Sequence, residues 1–288
     1  MTYSTFIKKL RVFVGDIDTL TRDSWDGDAA TVAFRTSERP ILESSYTLKV
    51  SNVTKTETTD YTIDRDTGMV TFVSAPAAGN DNVTLDYKYV RLKDAEWLEI
   101  VQNVIREWRK KIWTEAIDED TLTTVKNTSE LSLASISARI MKVISVQYRT
   151  NTNSDFINVD THYNVKYIRE QNKLQFRPYF EKSGYELKIR YIEHYDDDVA
   201  LTDTVADDLT DRYFPAIQYK AGAQYLDRFM AKVITEMGSK ITKETYQTLG
   251  NIRQLRNDYE KKAEMVIARV KPIMPSTNIP VALYKVKS

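Results

Sequence analysis

The chain contains no cysteine, which excludes a disulfide framework, a thiolate nucleophile, an iron–sulfur cluster and Cys-ligated zinc. Histidine is nearly absent as well. His162 and His194 are the only two, so a His-rich metal site is excluded and any Ser-His-Asp triad would have to use one of them. With eight glycines and seven prolines, the sequence has no Gly-x-Ser-x-Gly elbow, no phosphate loop ending in Gly-Lys-Ser/Thr and no Gly-x-Gly-x-x-Gly. No stretch approaches the roughly 18 consecutive apolar residues of a membrane span, and Met1 to Leu10 lack the apolar run of a signal peptide. The expectation is a chain that neither spans a membrane nor is exported by that route. Charge of one sign is missing too: 41 Lys+Arg balance 41 Asp+Glu, which argues against a surface that grips nucleic acid as a whole.

What is present is an ordinary folding composition, 42% hydrophobic and 28% charged over 288 residues, long enough for two or three modules. Tyrosine is abundant at 18 residues. Its broad ring and polar tip suit sheet faces and cores as well as contact surfaces, and both uses stay open.

Periodicity divides the chain into alternating helical and β segments. Residues 1–29 read as a short amphipathic helix carrying Tyr3, Phe6, Ile7 and Leu10, then an acidic connection from Asp16 to Asp28. Residues 30–92 switch to a period of two, as in Val83-Thr-Leu-Asp-Tyr87, with Asp64 to Gly68 placed to close a hairpin. Residues 93–140 read as a helix of about 24 residues with Trp97, Val101, Val104, Ile105, Trp108 and Ile112 on one face, closed by Asp118 to Asp120, then a connection. Its Arg106, Arg109, Lys110 and Lys111 fit a solvated helix end, with a patch for nucleic acid or an acidic partner as the sharper alternative. A second β module occupies 141–200, and 201–270 form two helices, joined across Met237 to Lys240, that pack with 93–120.

The last segment, 271–288, reads as an extended arm, because Pro272, Pro275 and Pro280 prevent a helix. Ile279, Val281, Leu283, Tyr284 and Val286 make it too apolar for a free terminus, and addition as an edge strand to another chain is the reading preferred over a tail folded back on its own domain. The two β modules also resemble each other. Tyr61-Thr-Ile63, Phe72, Pro76, Gly79 and Tyr87 are followed in the same order by Tyr163-Asn-Val165, Phe176, Pro178, Gly184 and Tyr191, a pattern that supports two modules and that a generic meander would also give.

Candidate chemistry is thin. His194 with Asp196 to Asp198 reads as a solvated turn before an acid–base or metal site, and Asp16, Asp18, Asp23, Asp26 and Asp28 lack the spacing of a calcium loop. No catalytic, cofactor or metal residue is assigned, and no enzyme is expected. The fold class expected is α+β: long helices forming a small bundle, two antiparallel β modules and an extended C-terminal arm.

The run Tyr61-Thr-Ile-Asp, Thr67-Gly-Met-Val-Thr-Phe72, Ala75-Pro-Ala-Ala-Gly79 and Val83-Thr-Leu-Asp-Tyr87 resembles the β modules of tailed-bacteriophage virion proteins. The Trp-rich helix with Trp97, Trp108 and Trp113, the sheet after it, the two late helices and the arm resemble head-to-tail adaptor, or connector, proteins, with 30–91 as an inserted outer domain. That resemblance implies a virion neck protein made in the host cytoplasm, forming a closed ring, commonly of twelve subunits, below the portal. It implies that the arm contacts the portal, that the lower face meets the next neck or tail-completion protein, and that double-stranded DNA passes non-specifically through the channel. It implies no cofactor, no membrane and no active site. Tyr213, Tyr219, Tyr225 and Tyr259 on the late helices are the candidate subunit interface. Another neck, tail-completion or baseplate protein, or a ligand-binding β module on a helical stalk, are the alternatives.

Overall fold

The computed structural model describes residues 1–159, 162–237, 242–270 and 281–282. Among them are five helices and four sheets, 33% helix and 34% strand, a mixed α and β chain. It divides into two compact units, the first built mainly from Met1–Val101 with Phe214–Glu264, the second mainly from Gln102–Val199.

In the first unit, α1 (Tyr3–Val14) is capped by Thr2, whose hydroxyl accepts from Thr5 N at 3.4 Å, and ends on Gly15 at φ 74°. It buries Tyr3, Phe6, Ile7 and Leu10, as the spacing predicts. Seven strands follow: β1 (Thr19–Gly27), β2 (Ala33–Arg35), β3 (Ile41–Val50), β4 (Val53–Thr54), β5 (Tyr61–Asp64), β6 (Met69–Phe72) and β7 (Gly79–Tyr89). They form two antiparallel sheets of order β1-β7-β3-β4 and β2-β6-β5, with Leu48, Tyr61, Val70, Val83, Leu85 and Tyr87 in the core. Gly68 closes the β5–β6 hairpin at φ 68°, a backbone that favours glycine.

The acidic connection is corrected here. Thr19 to Gly27 is not a loop but edge strand β1, antiparallel to β7 from Thr19↔Tyr89 onward. Only one of its edges is laddered and most of its side chains face water, so burial leaves little hydrophobic alternation in the sequence.

Helix α2 (Asp94–Glu107) is shorter than its pattern suggests, and Asp118 to Asp120 belong to a strand instead. That strand, β8 (Thr114–Thr123), opens the second set, with β9 (Glu130–Ser132), β10 (Ile140–Arg149), β11 (Ile157–Asn158), β12 (Asn164–Ile168), β13 (Lys173–Arg177) and β14 (Glu186–Glu193). The second module therefore begins near 114 rather than 141. Of the acidic residues that looked like a helix stop, Glu119 pairs across the ladder with Lys188, as Glu115 of the same strand does with Arg190.

The two modules have the same topology. The second has the orders β8-β14-β10-β11 and β12-β13-β9, antiparallel throughout, with β15 (Val281–Ala282) added parallel to β12. Each strand of one module takes the pairing of its counterpart seven strands later. From β4 to β7 the spacing is a constant 104: Val53 corresponds to Ile157, Phe72 to Phe176, Leu85 to Ile189 and Tyr87 to Tyr191. Details match too. The hairpin residue Gly68 corresponds to Asn172, also at positive φ, and their carbonyls accept from Thr36 N and Leu133 N, both at 2.9 Å. In β3 and β10 the spacing is 98, so the length difference falls between one matched pair: Ser51-Asn52 between Val50 and Val53 in the first module, Arg149 to Phe156 between Tyr148 and Ile157 in the second. The sequence alignment that set Tyr61 against Tyr163 is two residues off. By its ladder partner Phe72, Tyr61 corresponds to Val165. Generic convergence does not require five shared pairings among seven strands and one shared hairpin backbone, so the modules are two copies of one fold.

Three helices complete the described chain: α3 (Asp207–Asp211), α4 (Phe214–Met237) and α5 (Lys243–Val270). Within the first unit α4 lies on α2, with Trp97 and Tyr225 stacked 5.1 Å apart. It also lies on α5, where Lys220 Nζ is 2.5 Å from Glu260 and a Cβ on Gly222 would come within 2.9 Å of the Tyr259 ring. Residues 238–240 of the proposed joint, and the arm residues other than 281–282, lie outside the described residues.

Candidate functional site

The residues singled out by sequence fall in three places. The first is the tyrosine set. Tyr213 is fully buried in the second unit, its hydroxyl donating to the Trp113 carbonyl at 3.2 Å, and Tyr225 is buried against Trp97 in the first. Burial pushes the Tyr225 phenol up. Both rings are thus occupied by their own chain and are core, not subunit interface. Tyr219 and Tyr259 are half-buried, clustered with each other and with Phe13. They alone of the four keep surface to offer.

The second is the arm. Val281 and Ala282 pair with Tyr167 and Ile168 of β12, so this piece of the tail forms a strand, on an edge of its own chain. Ile279, Leu283, Tyr284 and Val286 lie outside the described residues.

The third is the cluster around His194. Asp197 accepts from Arg106 Nε at 2.9 Å and Arg109 Nη2 at 2.6 Å, and Asp196 pairs with Arg139. The two arginines lower the Asp197 pKa against the opposing effect of burial. Half of the basic cluster is therefore neutralised by the acidic turn it faces, which favours the solvated-face reading over a free cationic patch. Arg109 lies past the end of α2, so its placement owes nothing to the helix dipole. His194 Nδ1 is buried without a hydrogen-bond partner. Burial lowers its pKa, with Arg169 and Arg109 adding to the effect, while the Arg109 carbonyl and Asp197 oppose it. A depressed histidine pKa means the folded unit resists protonation, so stability is lost as pH falls through the ordinary histidine range near about 6.5. A proton NMR titration should give His194 a midpoint below that range; a midpoint at or above it contradicts the burial.

The acidic run from Asp16 to Asp28 does not converge on one point. Asp28 is held at about 2 by the Thr31 hydroxyl and the Thr31 and Ala30 amides. Asp23 accepts from Ser37 and from the Tyr87 hydroxyl, and Asp26 from Asp81 N. Among the described residues no group of three or more metal-ligating side chains gathers. Sequence reasoning missed Asp16 itself. It is 1% exposed and accepts from Arg91 N at 2.7 Å, Leu92 N at 3.4 Å and Trp97 Nε1 at 2.8 Å, with Arg11 alongside at 3.7 Å. Arg11 in turn reaches Asp94 at 2.6 Å. This joins the end of α1 to the start of α2. The available signal was an acid directly after the helix-ending Gly15, on the heels of an arginine.

Neither a family model nor a curated protein matches this chain.

Proposed function

We propose that the chain is a structural subunit of a tailed-phage neck, a head-to-tail adaptor that forms a ring below the portal, joins capsid to tail and lets the genome pass. In this reading the long helices make a small bundle, the chain has two antiparallel β modules, and 271–288 is an extended arm that reaches the portal. The observation that carries it is the strand formed by Val281–Ala282 on an open sheet edge after three prolines, because a segment that bonds through its backbone can dock on a neighbour's edge as readily as on its own. Supporting it, the acidic and basic clusters are tied up in ion pairs that shape the fold. Zero net charge suits a conduit, since a strongly basic lumen would hold the duplex through counterion release.

The ring, commonly of twelve subunits, its portal and tail-side partners, the DNA in its channel and its assembly in the host cytoplasm belong to this proposal. Mass photometry of the purified chain mixed with portal rings tests it. A defined high-order complex is expected, lost on deletion of 271–288. No complex with the full chain, or a complex indifferent to the deletion, overturns the arm's role.

A further inference from the structure

Two sheet edges correspond across the duplication, and only one of them carries the tail. The sheets β2-β6-β5 and β9-β13-β12 end on the counterpart strands β5 and β12. In both, the phenylalanine opposite the end strand bonds the other way: Phe72 N donates to the Val32 carbonyl and Phe176 N to the Ser129 carbonyl, each at 2.8 Å. The residues facing them, Tyr61 and Val165, therefore turn N–H and C=O outward, as do Ile63 and Tyr167 two positions on.

In the first module that outer edge is closed by the module's own backbone. Thr58 N donates to the Tyr61 carbonyl at 2.7 Å, Glu57 bridges to Tyr61, and Ile41 N donates to the Arg65 carbonyl at 2.9 Å. The constant spacing of 104 lets the same groups be followed into the second module, where they are engaged elsewhere. His162 N, the counterpart of Thr58 N, donates back to the Val159 carbonyl at 3.0 Å. The Arg169 carbonyl, the counterpart of that of Arg65, accepts from Asn172 N at 3.1 Å inside its own helical turn. Between these two positions Val281–Ala282 adds in parallel to Tyr167 and Ile168. An uncovered edge is a template for any extended chain, and a strand of two residues supplies few backbone hydrogen bonds, so its hold is weak enough to exchange.

We propose that the β12 edge is a strand-acceptor site latched by the chain's own tail. Val281–Ala282 fills the edge in the free chain, and the tail of a second copy enters only when the resident strand leaves. The occupant follows from the seated strand: a second copy's tail has the identical sequence, so the same parallel pairing is available to it. While the tail is seated, arm and edge shield each other, and free chains do not join edge to arm. The inference deepens the neck reading, from which it takes the departure of the arm to a neighbour, and adds what holds the arm beforehand.

The probe is a synthetic peptide of residues 277–288, added to the full-length chain, with hydrogen exchange at the Tyr167 amide as readout. Val281→Pro/Ala282→Pro removes both N–H donors of the seated strand, and Ala282→Pro alone serves if the double variant does not fold. Exchange at Tyr167 should be at least tenfold faster in the variant than in the wild type, and added peptide should restore protection in a dose-dependent way. The wild type, whose edge is filled intramolecularly, should bind fluorescently labelled peptide at least tenfold more weakly than the variant does. Equal exchange in wild type and variant overturns the seat, and a peptide that fails to protect the variant overturns the acceptor site. Equal peptide affinity for both overturns the latch. These results are read on the isolated chain, so a wild type that forms no complex with portal rings overturns the neck reading separately from them.

Discussion

Replacing Asp16 with alanine is expected to lower the unfolding free energy by about 3–5 kcal/mol, because it removes one of two carboxylates beside a buried cation and takes the acceptor from three donors at once. The donors are Arg91 N, Leu92 N and Trp97 Nε1, and the cation is Arg11, itself 7% exposed. The Leu92 amide and the Trp97 indole are bonded to it in a buried setting. Asp16→Asn keeps an acceptor oxygen and should lose less, and Trp97→Phe removes one donor while keeping a ring against Tyr225. Because the two side chains share a bond, the Asp16 and Trp97 losses should not add. Urea unfolding of the full chain reads this directly. A loss for Asp16→Ala below about 1 kcal/mol, the scale of an ordinary solvated hydrogen bond, contradicts the buried-anchor description.

Phe180→Ala should cost a similar amount, about 3–5 kcal/mol, in the second unit. The ring is 2% exposed and touches Tyr148, Tyr163 and Phe176, so truncation opens a cavity between residues on β10, on β13 and just before β12. Phe180→Leu keeps most of the volume and should lose less than half as much. The counterpart residue in the first module is already Pro76 beside an open cleft, so enlarging it should not cost stability in that unit. Hydrogen exchange of β13 and β14 amides separates the two: fast opening confined to the second unit supports the packing described, and unchanged exchange in Phe180→Ala contradicts it.

Much of this architecture was legible in the sequence. Phe6, Ile7 and Leu10 announce α1, and Val83, Leu85 and Tyr87 announce β7, because each buries one face and solvates the other. Edge strands were not legible. The β1 run Arg22-Asp-Ser24 and the β8 run Asp118-Glu-Asp120 owe their place to backbone ladders and cross-strand ion pairs, which leave no apolar period to read. The helix α2 was overestimated because Ile112 and Trp113 continue an apolar spacing into a turn and then a strand. The duplication showed only as a blurred echo. Its conserved quantity is the pairing scheme, and only a few side chains, such as Phe72 with Phe176 and Tyr87 with Tyr191, are identical across it. The tyrosine candidates fared unevenly because Tyr213 precedes α4, while Tyr219 and Tyr225, six residues apart on it, face different sides, and which side is covered depends on neighbours that spacing does not name.

The proposed role requires a phage particle that carries this chain, and a reconstruction of such a particle, at a resolution that traces backbone, is its most direct test. A neck subunit requires a closed ring of this fold immediately below the portal, with residues 271–288 of each copy laid against a neighbouring chain. Neck density filled by other folds, with this chain found elsewhere in the particle or outside it, contradicts that role.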